Sequence, residues 1–495
     1  SDDVYYYNPQ KVPPVVNHGT PEFPDYAATR YYSSDFTEKR MVSYFGRLGY
    51  NYKQRYLLEF TFRRDGSSTF GEGNRWANFP SVAVGWSFSE EPFIKRLTGG
   101  WLNWGKIRGS YGKSGQTFTS AYLAHGLMNI MDKSFFGKTG ITTDKPVSPY
   151  LTWEKTRQYD LGLDMDMFNY RLNVKLDYYY KYTSSLIYDI PIPGSLYAFG
   201  AQVENAMEIS NEGLELELQA DILRESAVSW RMKFNMARNW NRFEKSYSGK
   251  DVVDGDGTLL VVGRPLNGLY VWAHRGYYNS DAEVPRLYKI DGQEIYFNGV
   301  ATNGISGAVG DYRLLDLDGD GNPDSYYAGS PLPLAHGGWV NELMWKNFDL
   351  NVLVNFTIGR KMINNRMGLG FSRQSEDGHL TKLFDYRKLR PWDGVNKKPN
   401  APAWGNSLSM NTDSAIEKVH HLALKQITLG YNLPDRISKK AGLSGVRFFL
   451  TAENLFYLSN YSGGNPEVVN IYTGRDNGDT YPLPRKYTLG LTLNF

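Results

Sequence analysis

The chain contains no cysteine, so disulfides and thiolate metal sites are excluded from the outset. Nor does it contain any apolar run approaching the roughly 18 residues a membrane helix requires. The longest candidates, such as residues 259–263, are only strand-sized. Residues 1–10 hold no apolar segment of the kind that marks a secretory leader, which points to a processed chain or a fragment. Charge of one sign is also lacking. A net +3 over 495 residues is negligible, and no nucleic-acid partner is expected. Catalytic signatures are missing too: there is no His-Glu-x-x-His, no Gly-x-Ser-x-Gly and no phosphate-binding Gly-Lys-Ser/Thr loop. Of the seven histidines only His420 and His421 are adjacent, and on a strand they point to opposite faces. An enzyme is not expected.

What the chain does have is alternation. In its last nine residues Tyr487, Leu489, Leu491, Leu493 and Phe495 alternate with Thr488, Gly490, Thr492 and Asn494. A strand turns successive side chains to opposite faces, so this segment has one apolar face and one small, polar face. Thirteen such strands are predicted, over 43–52, 55–64, 81–88, 103–113, 157–167, 171–182, 212–221, 228–240, 336–345, 348–358, 420–433, 446–456 and 485–495. In the pair 157–167 and 171–182, Leu161, Leu163 and Met165 oppose Asp160, Gly162 and Asp164, while Leu176 and Tyr178 oppose Lys175 and Asp177. Aromatics reach 15% with 37 Tyr and 12 Trp, a composition that suits strands and interfacial girdles better than helices.

The connections alternate in length. Those at 53–54, 168–170, 222–227 and 346–347 are short. Those at 65–80, 114–156, 183–211, 241–335, 359–419 and 457–484 are long. A soluble sandwich seldom tolerates several structureless connections longer than about 15 residues, and rarely builds nearly every strand to the length of a membrane crossing. Short turns on one rim and long loops on the other mark a transmembrane antiparallel β-barrel with extracellular long loops. The 241–335 segment is read as one such extracellular segment and not as an independent domain. Thirteen strands is an odd count, whereas bacterial single-chain barrels have even ones. Further strands are therefore expected upstream, with Ser1 a terminus made by cutting an exposed loop. An intact mass of native material lacking any upstream polypeptide would remove that expectation.

Two groups of residues carry candidate chemistry. Asp316, Asp318, Asp320, Asn322 and Asp324 sit at the spacing of a loop that converges hard oxygen ligands on Ca²⁺, with Gly321 at the sharp turn. Tyr327 stands where a bidentate Glu would close a helix-flanked calcium loop, so a weak, structural Ca²⁺ site is expected. The long connections are also dense in flat aromatic faces, and Tyr270, Trp272, Tyr277, Trp392 and Trp404 are the candidates for contact with sugar rings or peptide side chains.

The order of local motifs resembles a known family. Residues 56–68 (YLLEFTFRRDGSS), Asn74-Arg75-Trp76, Phe79-Pro80-Ser81, residues 85–90 (GWSFSE) and 102–112 (LNWGKIRGSYG) carry the resemblance. So do Trp153-Glu154, Asn211-Glu212-Gly213, Gly263-Arg264-Pro265, the Asp316 loop, Asn454-Leu455-Phe456 and residues 481–485 (YPLPR). In that order they are similar to the barrel part of the SusC/RagA-type TonB-dependent transporters of bacterial outer membranes. The resemblance implies an energised importer of oligosaccharides or peptides. It also implies a 22-stranded barrel with an N-terminal plug and TonB box, capped by a SusD-like surface lipoprotein. On that reading nine strands and the plug lie upstream, and the alternative is a non-energised structural or adhesive barrel.

Overall fold

The computed structural model describes residues 38–117, 121–126, 128–135, 138–143, 146–197, 199–253, 259–284, 286–288, 294–296, 309–317, 324–365, 390–395, 398–403, 412–478 and 480–495. Thirteen strands follow one another in chain order through one antiparallel sheet. They are β1 (Met41–Tyr52), β2 (Tyr56–Ser67), β3 (Trp76–Trp86), β4 (Leu102–Gln116), β5 (Glu154–Met167), β6 (Leu172–Pro191), β7 (Ala201–Leu223), β8 (Val228–Lys245), β9 (Ala335–Trp345), β10 (Phe348–Asn364), β11 (Ile416–Asn432), β12 (Gly445–Ser459) and β13 (Lys486–Asn494). A two-residue strand, Arg475–Asp476, adds to β10 in parallel off that path.

The sheet carries two opposite chemistries because the register aligns like with like. One row runs Leu163, Leu176, Leu216 and Met236 across β5 to β8. Another runs Phe234, Trp339, Val354, Leu424 and Phe456 across β8 to β12. The next row over holds Asp164, Lys175, Glu217 and Asn235. A one-residue slip anywhere would exchange the faces, so the alternation pins the register. Among the described residues the apolar face has no protein cover: Leu161 is 57% exposed and Leu489 81%. An apolar surface of that extent is stable only against lipid.

Short turns close one rim. Lys53 and Gln54 both take positive φ, as a two-residue hairpin turn that matches strand twist requires. Aromatics cluster there, with Trp101 stacked on Phe168 and Phe348 between Trp345 and Tyr431. Lys53 lies over Tyr52 and Lys346 over Trp345. Such rings sit at the boundary between lipid and water. The longer turn between β3 and β4 holds helix α1 (Pro92–Thr98). In that turn Glu91 accepts from the Tyr56 hydroxyl at 2.6 Å and meets Arg55 at 3.4 Å.

At the opposite rim the strands outrun the sequence-based boundaries. The 212–221 segment is the lower part of β7, a strand of 23 residues. A strand rises about 3.3 Å per residue, so even at a 45° tilt β7 rises about twice the 25 Å of an apolar band. The expected loop 65–80 also shortens, because β2 and β3 pair as far as Gly66 and Trp76. The 241–335 segment begins later than its predicted boundary, since β8 continues to Lys245. In these upper parts the long connections fold onto the polar face and build small, dry cores. Phe70 and Phe79 pack on Trp153, with ring centroids 5.0 and 5.6 Å away. Phe243 packs with Met207, Val252 and Leu260, and Met362 packs with Val419, Tyr461 and Val469.

Candidate functional site

The polar face is the one turned away from lipid, and its strands hold ionised groups in lateral pairs. Arg108 reaches Asp164 at 3.1 Å and Asp177 at 2.5 Å. Its guanidinium crosses Gly162, where a Cβ would lie 2.4 Å from the Arg108 Cζ, so only glycine fits. Lys175 pairs with Glu217 at 3.1 Å, Lys233 with Glu342 at 2.7 Å, and Arg447 with Asp349 at 2.5 Å. These side chains are partly exposed, so each pair adds about 1 kcal/mol or less and leaves hydrogen-bonding capacity open to solvent or ligand.

Higher on this face, Lys233, Asn235, Gly338, Asn355 and His421 line a recess of about 540 Å³. Glu467 enters from above, on the connection between β12 and β13, and its carboxylate lies 3.3 Å from Lys425 and 3.9 Å from His421. The His421 Nδ1 is buried without a hydrogen-bond partner. The strand parity expected for the two histidines holds here, with His420 exposed and the His421 side chain 7% exposed.

Above the wall, segments from two long connections form a second assembly. Leu269–Trp272 pairs with Ser325–Gly329, and His274–Tyr277 with Tyr312–Leu314. Trp272 bridges to Thr412 of the neighbouring connection. Tyr312 is its centre. Tyr277 stacks on Tyr312 at 5.3 Å, His274 meets it edge-on at 4.9 Å, and Ser414 donates to its hydroxyl at 3.1 Å. The Asp413 carboxylate takes a hydrogen bond from His274 Nδ1 on one oxygen and from the Tyr326 hydroxyl, at 3.1 Å, on the other. Burial raises the pKa of Tyr312 and of Tyr277 because the phenolate would lose its water. The same cause lifts Tyr270, beside Tyr327, to about 12.

Four of the five aromatic candidates from the sequence fall among the described residues. Tyr270, Trp272 and Tyr277 belong to this assembly. Trp392 approaches its edge, donating from Nε1 to Asn279 at 3.2 Å. Gly310 makes that approach possible: its φ is +87°, and a Cβ there would lie 2.7 Å from the Trp392 ring. Trp404 lies outside the described residues, as do Asp318, Asp320 and Asn322. Asp316 and Asp324 flank that acidic tip. Asp324 accepts from the Leu317 N–H at 2.5 Å, and its own N–H donates to the Leu315 carbonyl at 2.9 Å, which closes the base of the loop. Among the described residues no three His, Asp or Glu side chains cluster as a metal site.

Sequence reasoning missed Asn355, Glu467, Asp413 and Arg360. Arg360 is 5% exposed and donates to the carbonyls of Pro466, Val469 and Asn470 at 3.1, 2.9 and 2.7 Å. It thereby pins the last long connection inside the wall. Its signal was available as an arginine just past the alternating run of β10, though its acceptors lie more than 100 residues downstream.

A family model described as TonB dependent receptor-like, beta-barrel matches residues 2–326. TonB-dependent receptor P26 of Formosa agariphila is 32% identical over 94% of this chain and 47% of its own length. TonB-dependent receptor SusC of Bacteroides thetaiotaomicron is 29% identical over 95% of the chain and 45% of its own length. Among solved structures, that of the RagAB peptide transporter superposes with a TM-score of 0.76 over 94% of this chain and 49% of that one. At 24% identity this is a likeness of fold. The chain spans about half the length of the curated relatives it matches.

Proposed function

This chain belongs to the TonB-dependent receptor-like β-barrel family, whose members are outer-membrane proteins, and from that premise we propose that it is part of the wall of an energised SusC/RagA-type importer. The observation that carries the reading is the division of labour between faces. Apolar rows lie against lipid, paired charges and amides lie inward, and the long connections fold onto the inward face. The edges of β1 and β13 are unpaired among the described residues, and β1 is exposed at every position. Open edges of that length invite pairing. Nine further strands would complete a 22-stranded barrel here, a size that leaves a lumen needing a plug.

The cargo is an oligosaccharide or a peptide. Asn235 and Asn355 in the recess can serve either, since a primary amide both donates and accepts. The RagAB relative of like fold is a peptide transporter, which favours peptide. The partly exposed Tyr270, Trp272, Tyr277 and Trp392, together with the sequence candidate Trp404, would meet the cargo at the mouth, where a SusD-like lipoprotein would close over it. TonB would act through the plug.

Asp316, Asp318, Asp320, Asn322 and Asp324 would hold a Ca²⁺ that stiffens the loop beside this mouth. Asp324 accepts from the Leu317 N–H, which holds this carboxylate at the base of the acidic loop. Calorimetric titration of the intact protein should show Ca²⁺ binding in the millimolar range. A flat isotherm there removes the ion from this reading.

Uptake of labelled oligosaccharides and peptides by cells making the full-length protein tests the importer. Accumulation of one class should require both this protein and TonB. Accumulation that persists undiminished without TonB identifies a passive barrel instead.

A further inference from the structure

The outward rows end in positive charge. On β5 the apolar row Met167, Met165, Leu163, Leu161 and Tyr159 gives way to Arg157 and then Lys155. Arg157 lies about ten residues up from the short-turn rim, which at a 35–45° tilt is about 25 Å, the height at which an apolar band ends. Lys113 of β4 is the direct cross-strand partner of Arg157. Both side chains are exposed, and neither meets a carboxylate among the described residues.

Two like charges placed directly opposite repel, so the protein alone gives no reason for the pair. The neighbouring outward positions do not relieve it. The next partner of Arg157 is Tyr182, whose hydroxyl donates to Glu208, a carboxylate that pairs with Lys245 and not with Arg157. On β2 the apolar row Tyr56, Leu58, Phe60 and Phe62 likewise ends in Arg64, which lies over the Trp76 ring at 5.3 Å. On β8 the row Phe234 and Met236 ends in Arg238, over Trp240 at 4.4 Å. Between these cations stands Glu212 on β7, and its carboxylate accepts from the Tyr178 hydroxyl at 3.0 Å.

We propose that Lys113 and Arg157, with Arg64 two strands away, form a binding site on the outside of the barrel for the phosphate-bearing head group of an outer-leaflet lipid. The long connections mark this rim as the cell exterior, so the leaflet is the outer one. A phosphate bridging the two side chains removes their repulsion and gains charge-assisted hydrogen bonds, bidentate from Arg157. Trp76 and Trp240 supply the amphipathic rings that settle at the same depth. The site lies on the opposite face from the recess, so it stands whatever the cargo is.

The test uses the full-length protein, delipidated in neutral detergent. Bisphosphorylated lipid A should raise its thermal midpoint, whereas the dephosphorylated glycolipid and inorganic phosphate should not. Lys113→Gln with Arg157→Gln should weaken lipid A binding roughly thirtyfold, at about 1 kcal/mol per cation. It should not lower the midpoint of the lipid-free protein, because a repulsion is removed. Lys53→Gln, at the opposite rim, should bind as the unmodified protein does. Equal shifts from phosphorylated and dephosphorylated glycolipid overturn the proposal, and so does a double variant that binds as before. An equal shift from inorganic phosphate makes this a general anion site and overturns the lipid assignment. If the double variant does not assemble, the three titrations of the unmodified protein decide by themselves.

Discussion

The lower and upper halves of the wall are built from the same strands and stabilised in opposite ways. In the lower half no dry core lies between layers among the described residues. Apolar side chains such as Leu161 and Leu489 face outward uncovered, and the inward face holds ion pairs such as Lys175 with Glu217. In the upper half the inward face is the apolar one, where Trp153 is 1% exposed and Phe243 and Met362 are fully buried. The difference lies in what covers each face. Below, lipid outside and water inside set the pattern. Above, water lies outside, and the protein's own connections fill the inside.

Four experiments can break or sharpen that contrast. The largest effect is expected from Trp153→Ala, which empties the centre of an upper cluster. By analogy with other aromatic truncations it should cost about 3–5 kcal/mol locally. Because the cluster lies above the band, the variant should still insert in the membrane while hydrogen exchange rises across Phe70 and Arg75, whose backbone carbonyl accepts from the Trp153 indole at 3.1 Å. Loss of insertion would mean the two halves are one cooperative unit.

Leu216→Arg places a charge on the lipid-facing row of the lower half. The cost should be about 2–4 kcal/mol near the midplane, read as reduced folding into vesicles. A neutral result would show that this row is covered by protein. Arg360→Met should cost about 2 kcal/mol by removing charge-assisted bonds to three carbonyls. Limited proteolysis should then find the 466–478 segment first, with the lower strands unaffected.

The smallest effect concerns pH at the lower rim. The Tyr56 hydroxyl holds Glu91 below its usual value of 4.5. A depressed carboxyl stabilises the fold above its unfolded value, and that stability fades as pH falls through the folded one. Thermal midpoints measured from pH 6 downward should therefore drop less steeply in Glu91→Gln than in the unmodified protein. Parallel curves would show that the hydrogen bond does not persist in solution.

The lower half was legible from sequence because its pattern is local. Leu161, Leu163 and Met165 announce their face by spacing alone, and the thirteen expected strands appear in the expected order. The upper half was not, for two reasons. Register shifts between Thr183 and Leu186 and between Phe243 and Lys245 interrupt the period of two, so β6 to β8 read as ending early. The inward positions there are also apolar, which erases the contrast between faces. Of the candidate site, the polar partners on neighbouring strands, such as Lys175 and Glu217, could be guessed from adjacent hairpins. The meeting of His274 with Asp413, or of Arg360 with the carbonyls near Val469, could not.

The amino-acid order alone therefore determined the strands, their two faces and the rim on which the chain turns back sharply, since each follows from neighbours two to four positions apart. Where the strands stop, and which loop residues share a pocket, was decided only in three dimensions. A connection of tens of residues carries no short-range rule for where it folds, and the wall it covers is what selects its resting place.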